Sequence, residues 1–152
     1  MRGGGCVAGL LVAALVVVGP AAAALERPES ANVEQNYILF CSGCHGAAGG
    51  GVPRRVPALN VTIGLFLRVE GGRELLLRFP GVVNSQLSDR ALAEVMNLCI
   101  SRFAGADRPA NLQPYSAEEV HAARQSPPLN TRRSRAELMR MLGLPADEAA
   151  DY

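Results

Sequence analysis

Two cysteines and a histidine stand close together in the segment Cys41-Ser42-Gly43-Cys44-His45. This C-x-x-C-H spacing is typical of covalent haem attachment, because thiols about one helical turn apart can each bond one of the two vinyl groups of a single porphyrin. The imidazole that follows can then take one axial position on the iron. The segment therefore predicts one covalent haem c, with Cys41 and Cys44 holding it and His45 as the metal ligand.

Two other kinds of site use a C-x-x-C pair. A thioredoxin-like redox pair is expected in a βαβ unit, and the residues around Cys41 do not alternate like a strand feeding a parallel sheet. A zinc site needs a second ligand pair. The remaining candidates have no useful spacing: Cys6, Cys99 and His121. The adjacent histidine, together with the export signal described below, favours haem over both alternatives.

The stretch from Tyr37 to Gly46 resembles the haem-binding segment of small monohaem c-type cytochromes of the class I kind. In that family a proline further along accepts the Nδ1 proton of the axial histidine through its backbone carbonyl. Of Pro53 and Pro57, the second is the better-spaced match, and its bond would orient the imidazole and strengthen it as a ligand. Leu87-Ser88-Asp89 resembles the start of the family's C-terminal helix.

The resemblance implies an all-α, cytochrome c-like helical domain around one covalent haem, over about residues 30–104. Ahead of this domain, the positive Arg2, an apolar run and a group of small residues are typical of an export signal. We expect a signal peptide over residues 1–24, with a retained membrane anchor as the alternative. Residues 105–152 are predicted to form a helical C-terminal extension.

The charge balance limits the partners. All fifteen basic residues are arginines, and removal of the signal leaves fourteen arginines against fourteen acidic residues. A neutral mature chain argues against nucleic acid and against a lysine-rich docking face for acidic partners. The expected partner is a redox protein: a periplasmic dehydrogenase, an oxidase or another cytochrome. Contact with a membrane is expected only if the N-terminal segment is retained.

Capping residues and apolar periodicity predict the helices of the haem domain. Asn32 is expected to cap the helix that runs into the motif, and Ser88 to cap the last helix. A short helix over 73–79 is expected to end at Pro80. One face of the last helix is predicted to be core: Leu92, Val95, Met96, Cys99 and Phe103. Cys99 is interpreted as a small buried hydrophobic residue.

Glycines and prolines predict loops over residues 46–60 and 81–86. In the first loop, Arg54 or Arg55 could pair with a haem propionate, although solvated arginines are the preferred interpretation. Capping boxes at Ser116 and Ser134 predict two helices in the extension.

The second of these helices is predicted to carry a positive face: Arg132, Arg133, Arg135 and Arg140. Three roles for the extension are considered. It could add packing around the domain, which is the preferred interpretation. It could dock a partner through its arginines, or deliver His121 or a methionine to the iron.

The sixth iron position is left open by the sequence. The family usually places a methionine, followed by a proline, in the loop before the last helix, and Phe79-Pro80 occupies that position here. The candidates elsewhere are Met96, His121, Met139 and Met141. An open, five-coordinate iron is equally admissible. Arg78 and Asn84 flank the loop and could then donate to a bound ligand, with surface placement as the alternative.

These features predict an exported, periplasmic monohaem c-type cytochrome. It would act as an electron carrier, or as the electron-accepting subunit of a periplasmic redox enzyme, rather than as an enzyme itself. The alternative is a ligand-binding or catalytic haem protein with an open distal iron position. No nucleophile–base pair or carboxylate pair supports a hydrolase or another non-redox role.

Overall fold

The computed structural model describes Met1 and residues 32–53, 55–125 and 130–145. Apart from Met1, the expected signal peptide over 1–24 lies outside these residues, and so does Arg54. Within the described ranges all regular structure is helical, apart from one isolated bridge between Val52 and Val56. The predicted all-α class is therefore confirmed. No helix of this part of the chain is long and apolar enough to span a bilayer.

In the part of the chain that the structure describes, six α-helices precede the extension. They are α1 (Val33–Phe40), α2 (Ser42–His45), α3 (Leu59–Phe66), α4 (Gly72–Arg78), α5 (Pro80–Val83) and α6 (Asp89–Phe103). A 3₁₀ turn at Gly105–Asp107 leads to the extension, which contributes α7 (Ala117–Gln125) and α8 (Thr131–Met141). The long helix α6 is the centre of the fold, because α1, α3 and α7 all pack against it.

Three helix starts follow the predicted capping chemistry. Asn32 accepts a hydrogen bond from the backbone N–H of Glu34 at 2.9 Å, and Ser88 Oγ accepts one from Ala91 at 3.1 Å. Ser116 and Glu119 form the predicted capping box, with the Ser116 N–H donating to Glu119 Oε2 at 2.9 Å. These side chains satisfy backbone donors that have no partner inside the helix.

The structure corrects the prediction in three places. Helix α3 was not expected, because it begins inside the predicted loop and contains β-branched residues of low helix propensity. Burial of its apolar side against α6 stabilises the helix. Pro80 begins the one-turn helix α5 because proline suits the first helical position. The capping box at Ser134 is wrong: α8 begins at Thr131, and Asn130 caps it by accepting from Arg133 at 2.9 Å.

The predicted apolar stripe on α6 is confirmed as core, including Cys99, which is buried. Phe103 at the end of the stripe lies 5.7 Å from the ring of Tyr37 on α1, centroid to centroid. Arg102 reinforces the same crossing by donating to the carboxylate of Glu34 at 2.5 and 2.6 Å. These contacts thus hold α1 and α6, the first and last helices of the haem domain, together where they cross.

The start of the extension docks through Tyr115, which is buried against α4 and α6. Its backbone exchanges two hydrogen bonds with the Asn97 side chain, at 2.7 and 3.0 Å, and its hydroxyl donates to Arg73 O at 2.8 Å. The Arg73 guanidinium lies 4.1 Å from the Tyr115 ring centroid and donates twice to the Glu119 carboxylate at 2.9 Å. This part of the extension therefore packs as an integral layer of the domain.

Arg124 on α7 binds the segment that links α5 to α6. Its guanidinium donates to three backbone carbonyls, those of Val83, Ser85 and Leu87, at 3.2, 3.0 and 2.9 Å. It also forms an ion pair with Asp89 at the start of α6. Only 8% of the Arg124 side chain is exposed. One side chain of the extension thus binds carbonyls at the end of α5 and in the irregular segment that follows it.

We expect Arg124→Gln to lower the free energy of unfolding of the haem-loaded protein by about 2–4 kcal/mol, because it removes the ion pair with Asp89 and leaves three backbone carbonyls without this donor. Urea denaturation followed by far-UV circular dichroism measures this change. Arg90→Gln removes the exposed pair between Arg90 and Glu94 on α6 and should change stability little. Equal effects of the two substitutions would contradict a special role for Arg124.

Candidate haem site

The C-x-x-C-H segment is held in place by backbone hydrogen bonds at the junction of α1 and α2. The Cys41 N–H donates to Tyr37 O at 2.9 Å, and the His45 N–H donates to Cys41 O at 3.0 Å. The buried Tyr37 also donates its hydroxyl to Gly46 O at 2.6 Å. Tyr37 therefore fixes the backbone on both sides of the motif, so that both thiols and the imidazole lie on one short helical segment.

The loop after the motif turns back sharply because two glycines allow it. Gly51 has φ +62°, its N–H donates to His45 O at 2.9 Å, and a β-carbon there would overlap the carbonyl oxygen of Val56. Gly49, with φ +69°, lies so close to Phe103 that a β-carbon would approach the ring to 2.9 Å. Only glycine fits both positions. The tight return brings Pro57 next to His45.

His45 Nδ1 lies 3.1 Å from the carbonyl oxygen of Pro57. A carbonyl can only accept, so Nδ1 carries the proton and Nε2 keeps the lone pair that a metal ion needs. Burial lowers the pKa of His45, and the Pro57 carbonyl raises it in part. The lowered pKa favours the neutral imidazole, which is the form that binds a metal. The structure thus brings together His45 and Pro57, the pair predicted from the sequence.

Both thiols and the imidazole face one cavity of about 510 Å³. Its wall is mainly apolar, with contributions from α1, α3, α4 and α6 and from the segment before α5: Phe40, Ile63, Phe66, Leu76, Phe79 and Met96. A porphyrin is a flat, largely apolar ring that needs an axial donor and, in a c-type site, two thiols at its edge. The wall, the neutral imidazole and the thiol pair fit this group.

The candidates for the sixth iron position occupy different environments. Met96 lies in the cavity wall and is buried on α6. His121 is at the surface, with its Nδ1 3.0 Å from the Asp89 carboxylate. Met139 is buried in the core outside the cavity wall, and Met141 is exposed. Within the described residues, Met96 is therefore the candidate that lines the cavity.

The polar donors suggested for the distal side are placed elsewhere. Arg78 pairs with Glu74 on its own helix at 2.7 Å, and Asn84 is exposed after α5. Neither lines the cavity. Phe79 and Pro80 do line it, together with Val82. The segment at the expected methionine position therefore presents apolar groups to the cavity.

Two arginines of the cavity wall were not predicted from the sequence. Arg132 and Arg135 on α8 both line it, and Arg135 is only 4% exposed. The predicted single positive face of this helix is thus wrong for Arg135, which points into the protein rather than to solvent. Arg132 and Arg135 are three residues apart, so the sequence could have shown that they share one side of the helix. Arg55, predicted as a solvated loop arginine, is exposed but also borders the cavity.

The two alternative interpretations of the cysteine pair lack support in the part of the chain that the structure describes. No cluster there of three or more His, Cys, Asp or Glu side chains could hold a bare metal ion. The same residues form no strand that could pair into a parallel sheet, as a thioredoxin-like site requires. An all-α domain with a C-x-x-C-H segment on an apolar cavity is instead the arrangement of a cytochrome c-like haem protein.

Comparison with known proteins agrees with this class. No protein-family model matches the chain. The chain is 31% identical, over 102 aligned residues, to cytochrome c-552 of Thermus thermophilus; the match covers 55% of this chain and 78% of the relative. Cytochrome c-552 of Thermus thermophilus strain ATCC 27634 has the same identity, with 69% of its length covered. The chain belongs to the c-type cytochromes, the haem proteins of electron transfer.

A third thiol, Cys99, lies in the same cavity wall. The pKa of the Cys99 thiol is raised to about 12, mainly by burial and to a smaller extent by the nearby Cys41 thiol. Burial likewise raises the pKa of Cys41 to about 11. Because the thiolate is the reactive form of cysteine, Cys99 should be inert at neutral pH.

We expect Cys99 in the folded, haem-loaded protein to resist iodoacetamide at pH 8. The shift from 9.0 to about 12 leaves roughly a thousandfold less thiolate than in an ordinary cysteine. Labelling of Cys99, followed by mass spectrometry of its peptide, should rise about tenfold per pH unit below that pKa. Unfolding in guanidinium at pH 8 provides the positive control. Fast labelling of the native protein at pH 8 would contradict the buried position.

Proposed function

We propose that this chain is an exported monohaem c-type cytochrome that works in the periplasm as an electron carrier, or as the electron-accepting subunit of a periplasmic redox enzyme. One observation carries the proposal: the Cys41 and Cys44 thiols and the His45 imidazole border a single apolar cavity, and the Pro57 carbonyl holds His45 Nδ1 at 3.1 Å. This set of groups supplies every protein donor that covalent attachment and one axial bond require.

Each residue of the site has a distinct role in this proposal. Cys41 and Cys44 would hold the haem through two thioethers, and His45 Nε2 would bind its iron. Pro57 orients the imidazole and increases its donor strength. When bound, the haem supplies an iron centre that alternates between Fe(III) and Fe(II). The apolar wall excludes water from this centre, and burial of this kind is one of the factors that set a reduction potential.

The exposed surface beside the motif supports a protein partner. Ile38 and Leu39, immediately before the cavity residue Phe40, are 61% and 74% exposed. An apolar surface next to the cofactor edge suits brief contact with another redox protein, since such complexes are small and short-lived. The expected partner is a periplasmic dehydrogenase, an oxidase or another cytochrome. The neutral mature chain argues against nucleic acid.

Export is supported by the sequence ahead of the haem domain, where residues 1–24 have the pattern of a signal peptide. Covalent attachment of haem in this family takes place outside the cytoplasm, so the C-x-x-C-H segment and the export signal support each other. If the segment is retained, it would tie the protein to the membrane as an anchor.

A second candidate function rests on Phe79 and the residues of α5 that follow it. Phe79, Pro80 and Val82 border the cavity where the family usually supplies a methionine, and none of them can bind iron. If Met96 does not bind iron either, the sixth position is open to a small ligand. The protein would then be a ligand-binding or catalytic haem protein.

We expect Cys41→Ala combined with Cys44→Ala to release nearly all of the haem on acid–organic extraction, because both thioethers are lost. The parent protein should keep its haem under the same treatment. Cys99→Ala is the matched control, because Cys99 lines the same cavity but is not part of the C-x-x-C-H segment. Haem that stays with the double variant after extraction, measured by absorption of the protein fraction, would disprove covalent attachment at this pair.

The ferric absorption spectrum separates the two candidate functions. A far-red charge-transfer band typical of sulfur on ferric iron is expected if Met96 is the sixth ligand, and Met96→Leu should then abolish it. Met139→Leu, which changes a buried methionine outside the cavity wall, is the control. A high-spin spectrum that responds to cyanide or nitric oxide, unchanged by Met96→Leu, would favour the ligand-binding function.

A further inference from the structure

The one-turn helix α2, which ends at His45, depends on contacts from outside itself. A helix of four residues gains too little from its own hydrogen bonds to be stable in water. The side chain of Tyr37 connects α1 with the end of this helix, because its hydroxyl donates to the carbonyl oxygen of Gly46 at 2.6 Å. Gly46 directly follows His45 in the chain. The bond therefore acts on the backbone next to the residue that is proposed to bind the iron.

Hydrogen bonds fix the backbone on both sides of the His45 α-carbon. The His45 N–H donates to Cys41 O at 3.0 Å, and the His45 carbonyl accepts from the Gly51 N–H at 2.9 Å. The carbonyl of Gly46, one residue further along, accepts from the phenol hydroxyl. The imidazole then keeps only its two side-chain torsions, and the Pro57 carbonyl, 3.1 Å from Nδ1, restricts these. The direction of the imidazole thus depends on the position of the backbone at residues 45 and 46.

Tyr37 is itself held firmly by its surroundings. It is 1% exposed, and its ring centroid lies 5.7 Å from that of Phe103 on α6. The guanidinium carbon of Arg102 lies 5.6 Å from the Tyr37 ring centroid. A donor on a packed side chain keeps its position better than a donor on a mobile one. The hydroxyl therefore ties the end of α2 to the crossing of α1 and α6.

The bond made by the hydroxyl can be separated from the packing of the ring. The Gly46 carbonyl also accepts from the Gly49 N–H at 3.2 Å, so loss of the hydroxyl would leave this carbonyl with a partner. The contact between the Tyr37 ring and Phe103 does not need the hydroxyl. Replacement of Tyr37 by phenylalanine therefore removes the tie to Gly46 and little else.

We propose that the Tyr37 hydroxyl is a positioning group for the axial ligand: through Gly46 it sets the orientation in which the His45 imidazole meets the iron. This inference rests on the proposed function as a c-type cytochrome. Without the hydroxyl, the end of α2 can move relative to α1, and the bond between His45 and Pro57 has to follow this movement. The imidazole plane should then turn relative to the haem, and the Nδ1 proton should be less protected from solvent.

The test compares the haem-loaded parent with Tyr37→Phe and Tyr115→Phe. Proton NMR of the ferric protein measures the shifts of the haem methyl groups, whose spread depends on the orientation of the axial imidazole plane. The same spectra follow exchange of the His45 Nδ1 proton with solvent. Urea denaturation measures stability, and acid–organic extraction measures covalent haem.

Tyr115→Phe is the matched control. Tyr115 is a buried tyrosine that does not line the cavity, and its hydroxyl donates to Arg73 O at 2.8 Å. The substitution therefore removes a comparable hydrogen bond away from His45. It should lower stability slightly and leave the haem methyl shifts and the exchange of the Nδ1 proton as in the parent.

Tyr37→Phe should keep its covalent haem, change the spread of the haem methyl shifts and speed exchange of the His45 Nδ1 proton by roughly tenfold. In the parent, the Tyr37 hydroxyl proton should exchange slowly with solvent, because it is buried and bonded to Gly46. This second measurement tests the bond even if Tyr37→Phe fails to mature.

A Tyr37→Phe protein that retains its haem but shows the methyl shifts and Nδ1 exchange of the parent would overturn the proposal, even if its stability falls, and would leave the proposed function intact. Equal changes in Tyr115→Phe would point to a general loosening of the fold and would also overturn it. Fast exchange of the Tyr37 hydroxyl proton in the parent would do the same. Absence of covalent haem from the parent would refute the proposed function, and this inference with it.

Discussion

The hydrogen bond between His45 Nδ1 and Pro57 O is the contact on which the site depends. It joins two residues twelve positions apart, and it requires the intervening loop to close within a small space. Gly51 makes this possible, because its left-handed backbone and missing side chain let the loop run against the carbonyl of Val56. The imidazole thereby receives a fixed orientation and a fixed tautomer, and both are conditions for a well-defined axial bond.

The same contact links the site to the rest of the fold. The loop that carries Pro57 also packs Gly49 against Phe103, and Phe103 contacts Tyr37. Tyr37 in turn holds the backbone beside the motif through Gly46. The crossing of α1 and α6 and the orientation of His45 are therefore parts of one packed unit. A substitution that weakens the packing between α1 and α6 should therefore also make the orientation of the His45 imidazole less fixed.

Interactions between neighbouring residues, such as helix caps, could be predicted from the sequence, whereas contacts between distant segments could not. The caps at Asn32, Ser88 and Ser116 depend on neighbouring residues, and all three were predicted correctly. Helix α3 was missed because its β-branched residues have low intrinsic propensity and its stability comes from tertiary burial. Arg135 was placed on the surface because no pattern in the sequence shows that α8 folds back over the cavity. The pairing of His45 with Pro57 was anticipated only through resemblance to a family.

The docking of the extension has a physical connection with the altered loop before α6. In a c-type cytochrome with a methionine in this loop, the bond to iron also fixes the loop against the haem. Here the segment from Phe79 to Leu87 offers no such ligand, so its conformation needs another source of order. Arg124 supplies it from outside the haem domain by donating to the carbonyls of Val83, Ser85 and Leu87, and α5 adds one helical turn. The extension thus orders this segment through hydrogen bonds to its backbone.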